Sequence, residues 1–149
     1  MYDTVLWATD ASPVAEGALQ TAVELLNPGG RLLAFHCDER FLTGRAGGLP
    51  LLADEQERRA RLQATVDELC AQGIDAELVI ETTTRSAPGE IAKAAEKLGA
   101  DAIVCGTRGF GIVAGAVAGS VAMRLPHLAA CPVVVISEAA AKSLELAKG

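Results

Sequence analysis

A charge-free stretch rich in glycine carries the pattern in this chain that could bind phosphate. The pattern runs Gly106-x2-Gly109-x9-Gly119-Ser120, and no charged residue stands between Gly109 and Ser120. Small residues let backbone N–H groups approach an anion closely, and a helix beginning at Ser120 would direct its free amides and positive dipole end at that anion. A flexible surface connector is the alternative interpretation of the same glycines.

Alternating strand and helix signals surround this pattern. Apolar runs of strand length occur at about residues 2–9, 31–37, 75–81, 101–105 and 131–136. Helical periodicity follows four of them, at about residues 12–26, 53–72, 86–98 and from 120 onward, with cap and proline signals at two of the starts. This alternation predicts an α/β fold: a single doubly wound, Rossmann-like three-layer sandwich with a five-stranded, mostly parallel sheet and four helices.

Two predicted strand ends lie where a ligand binds in such a sheet. Ligands of doubly wound folds sit beyond the carboxyl ends of the strands, near a switch in strand order. The end of the first strand, Ala8-Thr9-Asp10, and the end of the fourth, Cys105-Gly106, both fall on that edge. The phosphate pattern begins at the same place.

Three segments depart from this regular alternation. Residues 38 to about 51 contain three glycines and a proline, and we interpret them as a mobile loop that either covers the site or contacts a partner. Pro126 falls inside the last predicted helix and should kink or shorten it. Residues 138–149 form a C-terminal tail beyond a domain of residues 1–137. A short helix and a frayed terminus are both open for this tail, and fraying is favoured.

Composition and charge limit the partners of this chain. Half of its 149 residues are hydrophobic but only 3% are aromatic, which suits a core of small aliphatic side chains between helix and sheet layers. The net charge is −6 and no Lys/Arg-rich run occurs, so neither nucleic acid nor an anionic membrane is expected as a partner. The first residues show no basic segment followed by an apolar one, and a cytoplasmic location is expected.

Residues that could do covalent or metal chemistry are few. The four cysteines lack CxxC spacing and a nearby histidine pair, so we interpret them as small buried or half-buried side chains without disulfides. They are Cys37, Cys70, Cys105 and Cys131. No GxxxxGK(S/T), HExxH or GxSxG motif occurs, and the two histidines lie on different predicted elements. A phosphate cradle without a positioned nucleophile favours a binding protein over an enzyme.

With its flanking residues, the glycine pattern resembles the nucleotide-binding members of the universal stress protein family, which carry G-x2-G-x9-G-(S/T) after the fourth strand. The resemblance covers essentially the whole chain, including residues 5–12, 99–101 and 131–133. It implies the strand order 3-2-1-4-5 and an ATP site, with or without magnesium, across strands one and four. The residues that it places around the nucleotide are Ala8, Thr9, Asp10, Cys37, Cys105, Gly106, Arg108, Gly109, Gly119, Ser120 and Val121.

The resemblance implies a role for each part of that site. The turn at residues 8–10 would meet adenine and ribose, with the Asp10 carboxylate on a ribose hydroxyl, although Asp10 could also help to cap the first helix. Backbone groups of Cys37 would meet the adenine edge, and residues 105–106 would pack near the ribose. The phosphates would be held by Gly109, Gly119, Ser120 and the amide of Val121.

The resemblance also bears on assembly and function. Family members pair the edge of strand five antiparallel across a two-fold axis, which makes Pro132–Ile136 the expected seam of a homodimer. Arg108 would lie over the phosphates or point into solvent, and solvent is favoured. We hypothesise a regulatory module of the stress response that binds ATP and an unknown protein partner. A slow ATPase and a nucleotide-free dimerisation scaffold are the alternatives, and the choice among ATP, AMP and cyclic AMP is open.

Overall fold

The computed structural model describes residues 1–40, 49–107 and 120–147, with residues 49–53 and 120 described by their backbone alone. In these ranges, five strands alternate with five helices. The strands are β1 (Tyr2–Ala8), β2 (Leu26–Glu39), β3 (Asp75–Thr83), β4 (Ala102–Gly106) and β5 (Val133–Ile136). The helices are α1 (Pro13–Glu24), α2 (Leu49–Ala71), α3 (Ala87–Leu98), α4 (Ser120–Leu128) and α5 (Glu138–Ala147).

The five strands form one sheet in the order β3-β2-β1-β4-β5. Each neighbouring pair is parallel, and Trp7 of the central strand lies opposite Ala34 of β2 and Val104 of β4. The doubly wound α/β fold and its strand order are therefore confirmed. The switch in strand order lies between β1 and β4, where the sequence placed the ligand edge.

Alternation along β1 divides the core into two layers. Val5 and Trp7 pack in one hydrophobic cluster with α1, α2 and α5, whereas Leu6 and Ala8 pack in the other with α3 and α4. The indole N–H of Trp7 donates to the carbonyl of Ala15 in α1 at 2.8 Å, so the largest core side chain leaves no polar atom without a partner. The layers fix α1 and α4 on opposite faces of β1 and β4.

The predicted ends of α1 and β2 need correction. Helix α1 begins as expected, with the Ser12 hydroxyl accepting from the Ala15 N–H at 3.3 Å and Pro13 in the first turn. It ends at Glu24, and β2 begins at Leu26 rather than Arg31. The reason is tertiary: Leu26 pairs with Tyr2, and the register shifts before Arg31, so the intervening turn residues are carried within the strand.

The predicted loop at residues 38–51 is also shorter than expected. β2 stays paired with β3 as far as Glu39 opposite Thr83, and the chain is already helical at Leu49, where the description of α2 resumes. Residues 41–48, the rest of the predicted mobile loop, lie outside the described residues.

The C-terminal tail is a helix, so the expectation of a frayed terminus was wrong. Helix α5 packs on α1, with Ala141 only 5% exposed beside Gly17. The absence of a side chain at Gly17 lets the two helices approach closely, which explains why the tail is ordered. The other irregularity, Pro126, lies in the last turn of α4, and this helix spans only nine residues in the described part of the chain.

Two further properties of the described residues bear on the earlier expectations. All four cysteines are free, but Cys70 is exposed on α2 rather than buried, and its thiol lies 3.3 Å from the carbonyl of Ala76. Among residues 1–40, 49–107 and 120–147, no helix has both the length and the apolar character needed to cross a membrane.

Candidate nucleotide site

The turn from β1 into α1, residues 9–12, is the best-defined part of the candidate site. The Thr9 hydroxyl accepts from the Ala11 N–H at 3.0 Å, and Asp10 Oδ1 accepts from the Ser12 N–H at 2.8 Å. Between these bonds Ala11 adopts φ +65°, a left-handed conformation that costs a residue with a Cβ about 1–2 kcal/mol. The turn is therefore strained and must be held by its surroundings.

Side chains from β2 and α2 contact two backbone carbonyls of this turn. His36 Nδ1 lies 3.0 Å from the Thr9 carbonyl, and Arg61 Nη1 donates to the Ala11 carbonyl at 3.4 Å. Thr9 itself is fully buried, and its N–H donates to the Phe35 carbonyl at 2.9 Å. The turn is thus fixed by bonds from β2, α2 and its own side chains before any ligand arrives.

Asp10 is a partly desolvated carboxylate at this turn. Burial raises the pKa of Asp10, and this effect outweighs its hydrogen bonds with Ser12 and the positive charge of Arg58, which both lower the pKa. Its Oδ1 bonds to Ser12, which is itself the N-cap of α1, so Asp10 shapes the turn rather than capping the helix. The second oxygen can accept a hydrogen bond from a ligand hydroxyl.

β2 runs past the end of β1 and leaves backbone groups beyond it. The ladder between the two strands ends where Ala8 lies opposite Phe35, and the Phe35 carbonyl accepts from Thr9. Backbone groups of successive strand residues point alternately to the two sides, so Cys37 directs its N–H and C=O to the same side as Phe35. A donor and an acceptor on one residue therefore face the space beyond β1.

Burial disfavours the thiolate form of the two cysteines at this edge. Burial raises the pKa of Cys37 to about 12, with smaller contributions from acidic neighbours, and burial raises the pKa of Cys105 to about 11. Both thiols are therefore neutral near pH 7. Cys105 and Gly106 end β4 beside β5, and the Thr107 N–H donates to the Ile136 carbonyl at 2.9 Å.

The phosphate part of the predicted site is described only in part. Helix α4 is described from Ser120 onward, and the Val121 side chain is buried in the core. Arg108, Gly109 and Gly119 lie outside the described residues. The structure thus brings the ends of β1 and β4 together at one sheet edge, with the start of α4 on the face of Leu6 and Ala8.

Sequence reasoning missed a polar network beside the turn. His36 is 2% exposed, and its Nε2 lies 2.7 Å from Oε1 of Glu55 in α2. Arg59 donates to the same Glu55 oxygen at 3.1 Å and to Asp38 Oδ2 at 3.2 Å. No spacing rule joins a strand histidine to a helix glutamate 19 residues away, so the sequence held no signal for this contact. In the described ranges, no three His, Cys, Asp or Glu side chains are grouped as a metal site.

Comparison with known proteins agrees with this fold. The family model described as "Universal stress protein family" matches residues 1–137. The chain is 29% identical over 142 residues to universal stress protein Sll1654 of Synechocystis, covering 91% of this chain and 86% of that protein. This chain therefore belongs to the universal stress protein family, as the glycine pattern indicated.

Two solved structures extend the comparison. A universal stress protein family member from Burkholderia pseudomallei is 27% identical, with a TM-score of 0.70 and coverage of 91% of this chain and 96% of that chain. The universal stress protein of Archaeoglobus fulgidus, solved in complex with dAMP, is 26% identical, with a TM-score of 0.62 and coverage of 91% and 98%. That relative binds an adenine nucleotide.

Proposed function

We propose that this protein binds an adenine nucleotide, ATP in the cell, at the edge formed by β1, β2 and β4, and acts as a regulatory module rather than an enzyme. The observation that carries the proposal is the strained turn at residues 9–12, held in place by five hydrogen bonds from side chains. A turn held against its own strain, with a half-buried carboxylate at its tip, is preorganised for a ligand.

Adenine recognition is assigned to the backbone of Cys37. Its N–H and C=O point past the end of β1, and a neighbouring donor and acceptor match the ring nitrogen and amino group of the adenine edge. The neutral thiol is not needed for this contact. Guanine presents the opposite pattern of donor and acceptor, so we expect the site to discriminate against GTP.

Ribose and phosphate are assigned to Asp10 and to the start of α4. The free oxygen of Asp10 would accept from a ribose hydroxyl. The phosphates would lie at the start of α4, where the sequence pattern would place the free amides of Ser120 and Val121. The glycines of the sequence pattern, Gly109 and Gly119, would complete this cradle, and Mg²⁺ would be held by the phosphates themselves.

A regulatory role is favoured because neither the histidine nor the thiols described near the turn are available as nucleophiles. Both ring nitrogens of His36 have partners, and the thiols of Cys37 and Cys105 are neutral. Phosphoryl transfer needs a positioned nucleophile and charge stabilisation in addition to a cradle. ATP would then act by ordering the phosphate segment and changing a surface that a partner reads.

The dimer seam is proposed at β5. This strand lies at the edge of the sheet, and Val135 is an exposed apolar residue there, at 37%. An uncovered, valine-rich edge can pair with a second copy of itself across a two-fold axis. β5 pairs with β4, and the end of β4 borders the proposed nucleotide site. The seam would therefore lie next to the nucleotide site of the same protomer.

The proposal is tested by titrating nucleotide-stripped protein with ATP and Mg²⁺ in a calorimeter, using Asp10→Asn and Asp75→Asn as a matched pair. Asp75 is an exposed carboxylate at the start of β3, far along the sheet from the turn. Loss of a hydrogen bond to a charged acceptor costs about 1.5–3 kcal/mol, so we expect about 10- to 100-fold weaker binding for Asp10→Asn and no change for Asp75→Asn. Equal affinity of the two variants would contradict the site.

Turnover separates the module from a slow ATPase. Steady ADP production by the wild-type protein, abolished by Asp10→Ala while ATP is still bound, would establish the enzyme. We expect ATP to be retained unhydrolysed through many binding and release events. A protein that neither binds ATP nor retains nucleotide on purification would instead be a dimerisation scaffold.

A further inference from the structure

We propose that His36 is a positioning residue for the candidate nucleotide site and that only its doubly protonated ring sets the turn at residues 9–12 for ligand binding. His36 touches no nucleotide in this proposal. It acts through the Thr9 carbonyl, which lies 3.0 Å from its Nδ1. Its Nε2 lies 2.7 Å from Oε1 of Glu55, so the ring links the turn to α2. The effect on binding rests on the proposed function, whereas the protonation state can be tested without it.

The partners of the two ring nitrogens set the protonation state that the geometry requires. The Thr9 carbonyl is an acceptor only, and an ionised Glu55 is also an acceptor only. A neutral imidazole carries a single N–H, so it can satisfy one of these two partners and must turn a lone pair toward the other. The imidazolium, with two N–H groups, satisfies both at once.

Two arginines of α2 contact the Glu55 carboxylate. Arg59 donates to Oε1 at 3.1 Å, and Arg58 Nη1 lies 3.7 Å from Oε2. His36 and Glu55 are both buried, so water has little access to replace a lost hydrogen bond. The charged and titratable groups around the ring, in the part of the chain described, are Glu55, Arg58 and Arg59 of α2, Asp38 of β2, Arg40 just after β2, and Asp10 beyond Thr9.

Loss of the second ring proton would release part of the turn. If the lone pair faced Thr9, the left-handed Ala11 would lose support on one side. If it faced Glu55, the ring would lose the contact with α2 that holds it against Thr9. Nucleotide affinity should therefore be lower with a neutral ring than with a doubly protonated one. By linkage, bound nucleotide should hold the ring protonated to higher pH.

The protonation state is read first, by NMR of 15N-histidine protein. The chain has only two histidines, and His127 is exposed in the last turn of α4, so the variant His127→Gln leaves His36 as a single signal. We expect both ring nitrogens to carry protons at about pH 6, because each faces an acceptor. A ring with a single N–H at about pH 6 would overturn the proposal.

The coupling to binding is read with Glu55→Gln and the control Glu57→Gln, an exposed position on the same helix. A glutamine can donate to the lone pair of a neutral His36 while the other ring nitrogen donates to Thr9, so this variant satisfies the neutral ring. We therefore compare the loss of ATP affinity between about pH 6 and pH 8. This loss should be about three- to tenfold larger for the wild type and for Glu57→Gln than for Glu55→Gln.

The comparison is designed so that the two proposals fail separately. Titrations of the nucleotide phosphates and of Asp10 are common to all three proteins and cancel when their pH profiles are divided. Identical profiles for Glu55→Gln and the wild type would overturn the positioning role while leaving the nucleotide site intact. If none of the proteins binds ATP at any pH, the proposed function fails, and the ring protonation measured by NMR still decides the state of His36.

Discussion

Replacing Gly17 with alanine tests most sharply how α5 packs on the rest of the domain. A Cβ at this position would lie 3.2 Å from the Cα of Ala141 and closer still to its Cβ. Carbon atoms in ordinary contact rest about 3.5–4.0 Å apart. Helix α5 must therefore shift outward or separate from α1 in the Gly17→Ala variant.

The size of the effect follows from two opposing contributions. Overpacking of this kind costs about 1–3 kcal/mol, while alanine is favoured over glycine inside a helix by about 1 kcal/mol, so the net loss of unfolding free energy is about 0–2 kcal/mol. Ala141→Gly alone should lose about 2 kcal/mol, from helix propensity and from a buried methyl group. The double variant only exchanges the two residues and should return to within about 0.5 kcal/mol of the wild type.

Urea unfolding of the four proteins, followed by circular dichroism, measures these differences. The account requires a favourable coupling between the two changes of about 2–4 kcal/mol, because the double variant relieves the overlap that Gly17→Ala creates. Additive free energies, or a Gly17→Ala variant more stable than the wild type, would show that α5 does not rest on α1 in solution. The contact between Gly17 and Ala141 would then be refuted.

Three other changes have defined outcomes. Burial raises the pKa of Asp10 above its ordinary value of 3.8, so the wild type loses stability as pH rises from that value through the raised pKa. Asp10→Asn should therefore be the more stable protein at neutral pH. In thermal unfolding, the difference in stability should vanish below about pH 3.9. Val134→Asp should shift the protein toward monomer in analytical ultracentrifugation, and a dimer that survives would place the seam away from β5. Gly119→Val should abolish ATP binding in a calorimeter with little change in melting temperature, and unchanged affinity would remove this glycine from the phosphate cradle.

The elements that depend on local chemistry could be predicted from the sequence. Ser12-Pro13 placed the start of α1, and Gly99 placed the end of α3, where it adopts φ +70°. The apolar run at about residues 101–105 predicted a strand, and all five residues of β4 are buried, as in a parallel sheet covered on both faces. The family resemblance implied the strand order, and the ends of β1 and β4 lie side by side at one edge as it predicted.

The elements that depend on distant contacts could not be predicted in this way. Residues 27–30 resemble a helix stop and turn, but the pairing of Leu26 with Tyr2 carries them into β2. Helix α5 forms against Gly17, whose importance is invisible until the two helices meet. The contact of His36 with Glu55 likewise joins a strand to a helix that no periodicity connects.

The measurement that tests the central claim most directly is an amide NMR titration of the 15N-labelled, nucleotide-stripped protein with ATP and Mg²⁺. The account requires saturable shifts at the amides of Asp10, Ser12, Cys37 and Val121, which report the turn, the end of β2 and the start of α4, while amides of α5 stay unchanged. Shifts confined to other parts of the sheet, or no saturable shift at all, would contradict an adenine nucleotide site at this edge.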